Sequence, residues 1–303
     1  PQTSFINSPH ARFLDAHTMS YAEIHCTTNF SFLQGASHPG ELVSRAAALG
    51  YKALAITDEN SLAGVVRAHA AATSAGLKLL IGAKITPIDA PAIVLLATDR
   101  TSYGELAQLI TRGRRREKKG SCRLTMEDIA EHATGLHAAV SPDNLFSAET
   151  AGTKKTISRS FNTYREIFGT KCSLLATLNL GRDDQEKLIR LQSLAHSLKI
   201  PLVAAGDVLY HHRQRRTLHE ILTAIRYSTT VKQIREMLPE NAERHLRSIP
   251  TIHRLFATAP QAVERSIEIA DACHFSLNQL RYEYPEELVP SGMTAKEHLT
   301  RLT

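Results

Sequence analysis

His25 and Thr27 stand two residues apart in one short apolar run, and Asp58 and Glu59 follow directly on a second, at 53–57. Imidazoles and carboxylates carried by strand ends are how metal-dependent phosphoester hydrolysis gathers ligands about two or three cations. Alternate residues of an extended chain point the same way, so an H-x-H pair would turn two imidazoles into one cavity. Here the second position is Thr27, and a hydroxyl is a poor ligand for zinc or manganese. The framework of a hydrolytic centre is present and part of its donor set is missing.

The elements that must position these residues alternate in type. Strands are expected at 23–26, 53–57, 79–85, 93–97, 135–140, 173–179 and 202–205. Helices are expected at 39–49, 60–75, from 102 into an arginine cluster, and at 126–132, 157–168 and 183–198. Pro39 opens one helix, and Gly50 and Gly76 close two of them, as helix-end chemistry favours. Repeated strand–helix–strand units with short returns argue a parallel sheet closed as a barrel, with an open doubly wound sheet as the alternative. After Asp207 the pattern turns helical, at 213–226, 231–238 and 262–274, whereas 246–249 and 280–302 read as irregular. No G-x-G-x-x-G or G-x-x-x-x-G-K-[ST] follows a strand, which removes the dinucleotide and P-loop readings. Asp183 and Asp184 adjoin a helix start, where carboxylates meet the dipole favourably, and read as capping residues.

With 303 residues, 43% of them apolar, the chain suffices for one large domain or two modest ones. No run approaches 18 apolar residues and no basic-apolar leader opens it, so neither a membrane span nor a secretory signal is expected. Cys26, Cys122, Cys172 and Cys273 form no CxxC pair, which suits a reducing cytoplasm. The chain opens on Pro1 and is expected to derive from something longer. The net charge of +6 is local: Arg112, Arg114, Arg115, Arg116, Lys118 and Lys119 face a single Glu117, and without residues 112–119 about +1 remains. Such a patch fits either a solvated loop or contact with nucleic-acid phosphates or an acidic partner. Tyr103, Tyr164 and Tyr210 are too dispersed for a base-stacking platform. His69, His196 and His219 fall inside helical runs and read as ordinary packing or surface residues.

The segments IHCTTNFSFLQGASHPGELVSRAAALGYKALAITDENSLAGVVRAHAAATSAGLKLLIGAK, LITRGRRREKKG, PLVAAGDVLYHHRQRRTLHEILTAIR and FSLNQLRYEYPEELVPSGMTAKEHL together resemble the polymerase and histidinol phosphatase (PHP) domain of bacterial C-family DNA polymerases. The spellings HC for HxH and TDE for TDH resemble the error-prone branch used in damage-induced translesion synthesis. The resemblance runs from about residue 20 to the end. It implies an α/β fold, a distorted parallel (β/α)7 barrel of the PHP type with a helical C-terminal extension. It divides the chain into an upstream segment (1–19), expected to be disordered or foreign to the domain, a barrel (20–270) and a connector (271–303) toward a polymerase palm. The paired aspartates that would bind magnesium for nucleotidyl transfer are expected beyond residue 303.

The resemblance also implies where an intact site would lie. Its positions fall here on His25 and Thr27, Asp58 and Glu59, Lys84, the turn at 140–143, and Asp207 and Leu209. His25, Asp58, Glu59 and Asp207 survive as ligand types. Lys84 opposes metal, and is expected in the metal's place among Asp58, Glu59 and Asp207. No catalytic residue, bound metal or cofactor is therefore expected in this chain, with magnesium serving the parent polymerase. If a metal were held, its ligands would be His25, Asp58, Glu59 and Asp207. The expected role is structural support of the polymerase core in a cytoplasmic translesion polymerase. Expected partners are that core, DNA bound weakly through 112–119, and other translesion proteins, with no membrane. The alternatives are an active phosphoesterase or 3′–5′ exonuclease recruiting His211, His212 or His38, and a protein-docking module of a mutagenesis complex.

Overall fold

The computed structural model describes residues 19–142, 151–280 and 289–303; Asp143 of the 140–143 turn, the segment 1–18 and part of the expected connector (281–288) lie outside them. Seven strands follow one another in chain order around a single sheet: β1 (Ala22–Glu23), β2 (Ala53–Ile56), β3 (Lys78–Ile85), β4 (Ile93–Leu96), β5 (His137–Val140), β6 (Cys172–Thr177) and β7 (Leu202–Ala205). The helices are α1 (Pro39–Ala48), α2 (Val65–Ala75), α3 (Arg100–Arg115), α4 (Met126–Glu131), α5 (Ala151–Phe168), α6 (Asp184–Leu198), α7 (Arg216–Arg226), α8 (Ile249–Leu255), α9 (Pro260–Ala272) and α10 (Ala295–Leu302).

Alternation along each strand sorts its side chains into two cores. Ala22, Ile24, Ala53, Ala55, Leu80 and Val94 fill the barrel interior. The small alanines suit the narrow lumen of seven strands. Leu54, Ile56, Ile81, Ile85, Leu95 and Leu174 face outward into the larger core under the helices. Ile269, Ala270 and Cys273 of the α9 region join the interior cluster, so α9 plugs the amino-terminal end of the barrel and leaves the opposite end for a site. Cys273 and Phe275, within the stretch expected as a connector, are buried. Among the described residues, no helix is long and apolar enough to cross a membrane.

The sheet departs from an all-parallel barrel at one strand. β4 pairs antiparallel with both β3 and β5, while β1–β2, β2–β3, β5–β6 and β6–β7 are parallel. Only residues 86–92 join β3 to β4, too few for the helical crossover that a parallel pair needs. Beyond β1 and β7 the barrel closes through Val208 N to the His25 carbonyl at 3.0 Å and Thr27 N to the Val208 carbonyl at 2.8 Å.

Three helix expectations also shift. Residues 60–64 form a loop and α2 begins at Val65; 231–238 holds only a 3-10 turn at Arg235–Met237; and α10 occupies part of the 280–302 stretch read as irregular. Asp183 takes the N-cap position of α6 without a side-chain capping bond, so the expected capping role is not fulfilled by hydrogen bonding.

Candidate functional site

A cleft of about 340 Å³ opens at the carboxyl-terminal end of the barrel and is lined by Thr27, Glu59, Lys84, Asp207 and Leu209, together with Arg244. Barrel sites assemble at this end because the strands deliver side chains there from several directions. Asp207 is the centre of the arrangement. The residue sits in the left-handed region, with φ 46°, which an aspartate tolerates better than a branched residue. Its Oδ1 lies 3.2 Å from His25 Nε2, and its Oδ2 accepts from Arg244 Nη2. Arg244 Nε also donates to the Asp207 carbonyl at 3.1 Å. His25 Nδ1 lies 2.8 Å from Thr57 Oγ1. The ring thus bridges Asp207 through one nitrogen and Thr57 through the other. Burial opposes ionisation of Asp207, but Arg244, His25 and Lys84 outweigh it and hold the carboxyl well below the usual carboxylate range.

Asp58 faces elsewhere. Its carboxylate is fully buried and accepts from Thr28 N at 2.8 Å, Thr28 Oγ1 at 2.8 Å and Ser31 Oγ at 2.7 Å. Burial raises its pKa, and these bonds oppose the rise. The expected ring of Asp58, Glu59 and Asp207 about Lys84 is therefore not formed: Asp58 pins the loop after β1, and the cation bonded to Asp207 is Arg244, not Lys84. Among the described residues, no group of three or more His, Cys, Asp and Glu is placed to hold a metal ion. His211 contacts Ser37 and His38 contacts Asn29, while His212 caps the 3-10 turn at Arg213–Arg215. None of the three lines the cleft.

The basic cluster is an exposed loop only in its second half, 116–119, and helical before it. Arg112, Arg114 and Arg115 belong to the last turn of α3. Arg112 pairs with Asp128 and Glu131, and Arg116 with Asp128. Burial works against the Asp128 carboxylate, yet bonds from Arg116, Thr125 and Arg112 hold it well below its usual range. Arg114 donates to the Asn60 carbonyl at 2.9 Å and fastens the loop before α2. Arg115, Lys118 and Lys119 remain exposed.

Residues 23–175 match the PHP domain family. The chain belongs to that family. It is also similar to proteins named error-prone DNA polymerase. The match to the Rhodopirellula baltica protein is 46% identical over 95% of this chain and 26% of that one. The match to the Methylococcus capsulatus protein is 45% identical over 93% and 26%, so the chain spans about a quarter of these relatives. In fold it resembles an amidohydrolase from Chromobacterium violaceum, with a TM-score of 0.50 and 15% identity over 63% of this chain and 88% of that one.

Two residues of this PHP domain that carry the cleft gave little sequence signal. Arg244 reaches Asp207 from a loop far along the chain. Glu23 was readable only as a charge inside an apolar strand. Its buried carboxylate accepts from His25 N, Gly206 N and Tyr21 Oη, tying β1 to the end of β7. A Cβ at Gly206 would approach Glu23 Oε2 to 2.6 Å, so this closure needs glycine there.

Removing one partner of a partly buried ion pair leaves the other uncompensated. Asp207→Ala is expected to destabilise the PHP domain by about 2 kcal/mol. Arg244→Ala should cost less on top of it than alone, because both act on one contact. Urea unfolding of the two single variants and the double variant checks this, with simple additivity as the contrary result. A depressed carboxylate pKa adds stability above the ordinary carboxylate range that is lost as pH falls. Asp207→Ala should therefore unfold with a shallower acid dependence.

Proposed function

We propose that this PHP domain is part of an error-prone DNA polymerase acting in damage-induced translesion synthesis, and that its cleft is a degenerate metal site with a structural role. The single observation behind this reading is the engagement of Asp207 by both His25 and Arg244 with Lys84 in the same cleft. A divalent ion against Asp207 would have to displace a guanidinium. It would also meet the Lys84 ammonium, at a cost of about 4 kcal/mol per unit charge at about 4 Å and an effective dielectric near 20, roughly doubled for a dication. Thr27 and Leu209 supply no good ligand atom, and Asp58 is committed to its loop. The donor set does not fit a hydrolytic metal centre. On this reading the barrel (20–270) supports the polymerase core, a connector (271–303) leads toward it, and magnesium serves a nucleotidyl-transfer site elsewhere in the polymerase. The free state of all four cysteines is consistent with a cytoplasmic setting.

The test combines metal content with polymerase function. The purified chain is expected to hold no stoichiometric zinc or manganese and to release no nucleotide from 3′-terminated DNA. In the full-length polymerase, Arg244→Ala should lower melting temperature and primer extension together. Stoichiometric metal with hydrolysis lost in His25→Ala would establish the hydrolase instead. Unchanged stability with lost complex formation would point to a docking module.

DNA contact through the basic cluster is part of the same proposal, now narrowed to Arg115, Lys118 and Lys119. Each neutralised phosphate releases condensed counterions, so replacing all three by alanine should reduce the salt slope of duplex DNA binding by about 3. Fluorescence anisotropy at several salt concentrations measures the slope; an unchanged slope would leave the cluster as a solvated, ion-paired face.

A further inference from the structure

Arg114 is committed to the protein's own backbone. Its Nε and Nη2 both donate to the Asn60 carbonyl, at 3.2 and 2.9 Å. Its Nη1 donates to the Gly120 carbonyl at 3.2 Å and to the Ser121 carbonyl at 3.4 Å. A guanidinium can bridge two pieces of chain in this way because its donors form a rigid planar fork. Here the fork joins the end of the segment 116–121 to the loop before α2. Asn60 directly follows Glu59, which lines the cleft, so the segment is fastened at the cleft end of the barrel.

The backbone closes the same segment. Glu117 N donates to the Arg114 carbonyl at 3.4 Å, Ser121 N to the Lys118 carbonyl at 3.0 Å and Arg123 N to the Gly113 carbonyl at 3.1 Å. Lys118 and Lys119 are exposed on it, and neither carries an ion pair among the described residues. Arg112 and Arg116 bind carboxylates of α4 instead. Arg114 is thus the cation of the cluster that ties this loop to the barrel. Ordering a free loop on binding subtracts from affinity, and a loop fixed beforehand avoids that loss.

We propose that Arg114 is a positioning residue for DNA contact, touching no phosphate itself and holding the loop 116–121 so that Lys118 and Lys119 meet one DNA backbone together. This rests on the reading of the basic cluster as a DNA contact. Arg114→Lys separates geometry from charge. Lysine keeps the positive charge, but its one nitrogen cannot occupy both ends of the fork.

The test measures binding of the purified chain to a short duplex DNA by fluorescence anisotropy at several salt concentrations, with a melting temperature for every variant. Arg114→Lys is expected to weaken binding about five-fold at fixed salt and to leave the salt slope unchanged, since no phosphate contact is lost. In a chain already carrying Lys118→Ala and Lys119→Ala, the same change should alter affinity by less than about two-fold, because the side chains it positions are gone. Wild-type affinity in Arg114→Lys would overturn the proposal. So would a five-fold loss that persists without Lys118 and Lys119, whatever the melting temperature does. A slope lowered by about 1 in Arg114→Ala would mean that the arginine binds phosphate itself, which also overturns it. If replacing Arg115, Lys118 and Lys119 together leaves the slope unchanged, the DNA reading fails and this role with it. If that replacement lowers the slope by about 3 while Arg114→Lys binds as wild type, the DNA reading stands and only the role of Arg114 is wrong.

Discussion

Asp58→Ala is expected to lower the stability of the PHP domain by about 3 kcal/mol, while Asp58→Asn lowers it by only about 1 kcal/mol. The difference follows from what the carboxylate does. It is fully buried and receives Thr28 N, Thr28 Oγ1 and Ser31 Oγ. Alanine leaves these donors in a dry pocket without an acceptor, and each buried orphan costs about 1–3 kcal/mol. Asparagine keeps an acceptor for Thr28 N and Ser31 Oγ and turns its amide toward the Thr28 hydroxyl. That hydroxyl already accepts from Phe30 N at 3.0 Å, so its own proton loses its place, which is the modest cost of the asparagine variant. Packing allows nothing bulkier nearby, since a Cβ at Gly64 would come within 2.6 Å of Asp58 Oδ2. Denaturant unfolding of the two variants decides the matter. Equal destabilisation by alanine and asparagine would point to the charge itself, as a cation ligand requires.

The barrel was legible because its signals are local. Short apolar runs, helix-closing glycines and the alternation of element types mark the seven strands to within a few residues. The direction of β4 was not marked locally. Ile93–Leu96 carries the same apolar signature whether it runs parallel or antiparallel, and only the short 86–92 connection distinguishes the two. The start of α2 was misplaced because Asn60 is held by tertiary contacts. Its side chain bonds Thr86 Oγ1 at 2.7 Å, its carbonyl takes Arg114, and its φ of 47° is not helical.

The site was legible in position but not in wiring. The sequence brings His25, Thr27, Glu59, Lys84, Asp207 and Leu209 to one end of the barrel. It does not tell that Asp58 turns to Thr28 and Ser31, since competition between a loop and a cleft for one carboxylate is settled by three-dimensional distance. Arg244 stands in a stretch without helical or strand period, so nothing local linked it to Asp207. The ion pairing of the arginine cluster was hidden for a similar reason. Asp128 and Glu131, which neutralise part of it, lie a full element away in α4.

The last expectation concerns Glu23. Wild-type stability, measured relative to Glu23→Gln, should fall by about 3 kcal/mol as pH rises from about 4.5 to about 7. Burial raises the Glu23 carboxyl to about 7, against the opposing bonds from Gly206 N, His25 N and Tyr21. Between the ordinary carboxylate range and that value the folded state holds a proton that the unfolded chain has released, so raising the pH favours unfolding. Above about 7 both states are ionised and the difference is constant. Glutamine suits the neutral site, because its oxygen accepts His25 N and Gly206 N while its amide donates to a reoriented Tyr21 hydroxyl. Absolute stability would not show the effect cleanly. Burial lowers His137 and His219 to about 4, and these neutral rings lose stability as pH falls below the usual histidine range, the opposite slope in an overlapping window. Both rings are common to the wild type and the variant, so the difference between the two unfolding curves isolates the carboxyl. A difference that does not change with pH would mean that Glu23 is ionised throughout and that its hydrogen bonds, not its burial, govern the strand junction.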